Sequence, residues 1–120
     1  MDYKLYDDSF DTVYYLSQII CNDYDKDVFG LIELTNTIML YTQNNFVSND
    51  GQFKKQVVLD ILEKLITNDI VYIDENTQKD MYTFYDSKIS SYIDFSIIFA
   101  KNYKDATKWY HCLFKCVKRS

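Results

Sequence analysis

GQFKKQVVLDILEKLIT, residues 51–67, carries the strongest helical periodicity in this chain of 120 residues. Phe53, Val57, Val58, Ile61, Leu62, Leu65 and Ile66 recur at the spacing of a wide apolar face. Two acid-before-base pairs four residues apart, Asp50 with Lys54 and Asp60 with Lys64, favour the same helix. A face that wide must be covered by other helices. Asn68 and Asp69 end the segment.

The segments on either side supply candidates. Phe10, Val13, Leu16, Ile19 and Ile20 predict a helix over about 10–21, with Asp8 or Ser9 as its cap. Val28, Leu31, Ile32, Ile38 and Met39 predict a second over about 27–43, with Asp27 as N-cap and Gly30 as a tolerable residue in the first turn. Residues 43–51 read as a polar loop rich in turn-forming Asn, Ser, Asp and Gly. Residues 70–85 read as a connector with a short helical turn near Lys79–Phe84, the alternative being a hairpin that would be marginal alone. Ile89, Tyr92, Ile93, Ser96, Ile97 and Ala100 predict a helix over about 86–101, and a last one follows over about 103–118. The expectation is a single all-α domain spanning residues 1–120, a bundle of about five helices. Its core would draw on Val13, Leu16, Ile20, Leu31, Ile32, Ile38, Phe53, Val57, Ile61, Leu65, Ile93 and Ile97.

Composition agrees with that architecture. There is no proline and only two glycines, Gly30 and Gly51, too few for the turns of a β-sandwich or a glycine-rich phosphate loop. At 48% hydrophobic and 26% charged, the chain suits a folded domain with one core. No apolar run approaches the ~18 residues of a membrane span. The start, MDYKLYDDSFD, lacks the basic and apolar regions of a secretory signal. Three cysteines, an odd number, favour free thiols in a reducing compartment.

Charge is distributed unevenly. Lys101, Lys104, Lys108, Lys115, Lys118 and Arg119 face only Asp105 in residues 101–120, a net +5. Seventeen acids against seven lysines leave the first hundred residues near −10. The basic end also holds Trp109, Tyr110, Leu113, Phe114 and Val117. Such a segment suits an acidic protein partner or an anionic membrane surface, or it merely finishes the core with its lysines in water. The acidic balance argues against nucleic acid as a partner.

Chemical constellations are weak. Asp23, Asp25 and Asp27 alternate like the start of a calcium loop, but Val28 and Leu34 stand where that loop needs Gly and Glu. His111, Cys112 and Cys116 lack a nearby fourth zinc ligand, Cys21 being the one remaining thiol. No catalytic signature, cofactor motif or metal set emerges, and a non-enzymatic protein with no cofactor is expected. Lys54 and Lys55 sit in a helix's first turn, where the dipole disfavours cations, which hints at a partner contact.

Three pieces within Leu31–Lys101 carry a resemblance: LIELTNTIMLYTQ with the polar loop after it, Gly51-Gln-Phe-Lys-Lys-Gln-Val-Val-Leu59, and Ile93-Asp-Phe-Ser-Ile-Ile-Phe-Ala-Lys101. Together they look like a small helical module of the large nucleocytoplasmic DNA viruses, the giant-virus group. Residues 70–90 depart from it, being more polar and richer in tyrosine. The resemblance implies a viral structural or assembly protein, such as a minor capsid or virion component, found in the virion or the host cytoplasm. The alternative is a viral host-interaction module of Bcl-2-like type, a helical bundle whose groove binds a host helix. Partner-binding residues are then expected at Lys54, Lys55, Lys104, Lys108, Trp109, Phe114, Lys115 and Lys118. The partner is either a second copy or another virion subunit.

Overall fold

A computed structural model describes residues 7–47 and 49–101. Helix α1 is Asp7–Ile20, α2 Val28–Asn45, α3 Gly51–Lys64, α4 Glu75–Phe84 and α5 Ser90–Lys101. A 3-10 turn, Cys21–Asp23, follows α1, and a π-helical turn, Leu65–Asp69, widens the end of α3. A second π turn, Tyr85–Ile89, joins α4 to α5 with the backbone helical throughout. The described residues therefore form four rods and no strand. The helix expected over about 103–118 lies outside the described residues.

Three helices begin under one rule. Asp27, Asp50 and Asp74 are N-caps whose carboxylates accept from the amides of Gly30, Phe53 and Thr77, each at 2.8 Å. Each bond satisfies a donor that the first turn leaves without a helical partner. Thr77 also donates its hydroxyl to Asp74, and together the two bonds hold that carboxyl below its ordinary value. Helix α1 starts earlier than expected, so Asp8 and Ser9 lie inside it.

The core forms where α2 and α3 cross, with α1 laid over α2, α5 against α3 and α4 against α2. Val13, Leu31, Leu34, Ile38, Val57, Ile61, Leu62, Leu65, Ile66, Ile89 and Ile93 are its fully buried members. Leu16, Ile20, Ile32, Phe53 and Ile97, expected in the core, are half-buried instead, because each sits at the edge of its helix's apolar face. Phe46 is the main addition. It lies in the loop expected to be polar, yet it is buried with its ring 5.4 Å from that of Phe53, closing the end of the α2–α3 pair.

Residues 70–85 correct the expected connector. Only the short stretch between the π turn and α4 is non-helical, and a full α4 follows. Met81, Tyr85, Ile89 and Ile93 are spaced four apart, and three such steps overrun a 3.6-residue turn by about one residue. The π turn absorbs that surplus, so Met81, Ile89 and Ile93 all reach the same core. The Tyr85 hydroxyl pins the widened turn to α3 by donating to the Leu59 carbonyl at 3.1 Å.

Candidate functional site

Lys54 and Lys55 have intramolecular partners. Lys54 Nζ donates to Gln43 Oε1 at 2.8 Å, tying α3 to the end of α2. Lys55 pairs with Asp94 on α5 at 2.8 Å. With Asp94 51% exposed, that pair contributes at most about 1 kcal/mol. Both contacts give a tertiary reason for cations in the first turn. The other expected partner-binding residues, Lys104, Lys108, Trp109, Phe114, Lys115 and Lys118, lie outside the described residues.

A polar cluster at the end of α1 concentrates titratable groups. Asp69, in the first π turn, accepts from Tyr14 at 2.5 Å and from Gln18 at 3.0 Å. Asn22 donates to the Asp69 carbonyl at 3.1 Å and accepts from the Val71 amide at 2.8 Å. The cluster thus latches α1 to the π turn. Cys21 is buried beside it, and burial with the nearby Asp69 charge pushes its thiol up, away from the reactive thiolate. Among the described residues no three carboxylate, thiol or imidazole groups gather to hold a metal.

The phenols respond to alkali. Burial, then the bond to Asp69, pushes Tyr14 up to about 12, and burial does the same to Tyr72. Both folded values exceed the ordinary 10.0, so folding favours the protonated forms. Their contribution is fully present below pH 10 and is lost as pH rises from 10 to about 12. The urea midpoint should therefore fall across that window, and Tyr14→Phe should fall less steeply than the parent.

The feature that sequence reasoning missed is a groove between the start of α2 and α4. Its volume is about 220 Å³. Val28 and Phe84 supply the apolar walls over a floor of the buried Leu31 and Met81, and Lys26, Asp27, Thr77 and Asp80 the polar walls. The Lys26 ammonium is turned to the Asn22 and Tyr24 carbonyls, at 3.3 and 3.2 Å. Small-molecule sites usually exceed ~300 Å³, so the space suits one large side chain of a partner. Val28, at 43% exposed, keeps part of its surface in water. Only a short helical turn near Lys79–Phe84 was expected, so the pairing of a full α4 with α2 was not foreseen.

Among the described residues no helix is long and apolar enough to cross a membrane. No family model, curated protein or solved structure matches the chain.

Proposed function

We propose that this chain is a non-enzymatic assembly protein, a minor capsid or other virion component, working through protein–protein contacts. The observation that carries this reading is the charge separation, near −10 over the first hundred residues and +5 over residues 101–120. Opposite charges on one chain favour head-to-tail association, the basic end of one copy meeting the acidic body of another subunit. The virion assignment rests on the resemblance of residues 31–101 to the giant-virus module. Lys104, Lys108, Trp109, Phe114, Lys115 and Lys118 are the partner-binding residues in this reading. Lys54 and Lys55 would join only by exchanging the partners they hold within the fold.

The α2–α4 groove favours a second reading, a host-interaction module of Bcl-2-like type that accepts an apolar side chain from a host helix. Salt separates the two. Charge-driven association weakens as the screening length falls from ~10 Å at 0.1 M to ~3 Å at 1 M. Light scattering after size exclusion should give a multiple of 14.4 kDa at low salt and the single-chain mass at high salt. A single-chain mass at both would remove the assembly reading and leave the host-helix one.

A further inference from the structure

We infer that the α2–α4 groove receives the Trp109-centred basic segment of a second copy of this chain. The inference rests on the assembly reading above and names its contact. Three observations join here. The groove has apolar walls from Val28 and Phe84 over the buried Leu31 and Met81 and a volume of about 220 Å³, room for one large side chain. Methionine adapts its shape to a neighbouring group, and the buried Met81 lies at the floor. Trp109 is the one tryptophan of the chain, and tryptophan is among the residue types that most often anchor an interface.

Charge matches as well. Asp27 and Asp80 line the groove, and Asp23 and Asp25 precede it on the same loop. Lys26, the one cation of the lining, holds two backbone carbonyls. Trp109 is flanked by Lys104, Lys108 and Lys115. Ions of opposite sign around an apolar anchor give the contact its orientation and speed its formation.

Reach favours a second copy over the chain's own segment. Phe84 and Lys101 lie at opposite ends of the π turn and α5, a run of helix about 25 Å long at 1.5 Å per residue. From Lys101 to Trp109 a fully extended chain covers about 26–29 Å. Returning in cis would therefore demand a nearly extended chain over most of these residues, with little length left to turn back. A neighbouring copy meets no such limit, and the resulting contact is heterologous, groove to segment.

The test uses two full-length variants and their mixture. Val28→Lys with Asp80→Lys alters the groove at two exposed positions, and Trp109→Ala removes the anchor. Circular dichroism first checks that both are folded. Each variant alone should associate at least about tenfold more weakly than the parent at low salt. Mixed, they should form a dimer, because the intact groove of one meets the intact segment of the other. Weakened variants whose mixture stays monomeric would place the contact within one chain and overturn the inference. Variants that associate like the parent would move the contact elsewhere, overturning the inference while assembly stands. A parent that is monomeric at low salt would remove the assembly reading and the inference with it.

Discussion

Gly30→Ala should destabilise the fold by about 3 kcal/mol or more, while Gly51→Ala should leave it unchanged or slightly firmer. Gly30 is buried in the first turn of α2, and its backbone faces Asp25. A Cβ there would run into the Asp25 carbonyl oxygen and stand 2.6 Å from the carbonyl carbon and 2.9 Å from the amide nitrogen. Backbone cannot swing aside like a side chain, so the whole turn between Cys21 and Asp27 must move. That turn carries Asn22, which ties α1 to the π turn, and Asp27, the cap of α2. Gly51 meets nothing within 4 Å and sits at the first position of α3, where alanine is the better helix former. Against a total stability of about 5–15 kcal/mol, the Gly30 change should lower the melting temperature by roughly 10 °C or more. Equal melting of the two variants would contradict the packing described for this turn.

Leu65→Ala should cost about 2–5 kcal/mol, the range for a buried leucine whose site collapses only in part. Leu65 is 0% exposed and opens the first π turn, where its carbonyl accepts from the Ile70 amide at 2.8 Å. Its side chain holds α3 in the core at the point where the helix widens. The neighbouring Ile66 carbonyl depends on that geometry, accepting from Tyr72 at 2.9 Å and Gln78 at 3.3 Å. A cavity at Leu65 therefore loosens the join between α3 and α4 as well as the core. Hydrogen exchange should show amides of α4 losing protection together with those of α3. A loss confined to α3 would mean that the π turn does not couple the two.

The helical class was legible because the apolar residues from Phe53 to Ile66 follow a helical face, and because the chain lacks proline and nearly lacks glycine. Asp27 as a cap was legible for the same local reason, its donor being three residues away. Helix α4 was hidden because the apolar spacing from Met81 to Ile93 runs at four residues, which drifts off one α-helical face until the π turn restores it. Phe46 was hidden among the polar residues of its loop, since its burial depends on the Phe53 ring of another helix. Gly30 looked merely tolerable, since the approach of Asp25 is tertiary. The two first-turn lysines were singled out as a hint of a partner contact, and within the fold both hold partners of the same chain. Their counter-charge and acceptor come from residues thirty-nine and eleven positions away, which no local pattern reveals.

The proposal that an acidic body meets a basic end from another copy can be tested without perturbing either. Equal amounts of light and nitrogen-15-labelled full-length chain, mixed at low salt, would be treated with a zero-length carboxyl-to-amine cross-linker. The account predicts mixed-isotope cross-links joining Lys104, Lys108 or Lys115 to Asp23, Asp25 or Asp80, all lost at high salt. Cross-links at those lysines that form only within single-isotope chains, or that persist unchanged in high salt, would contradict it.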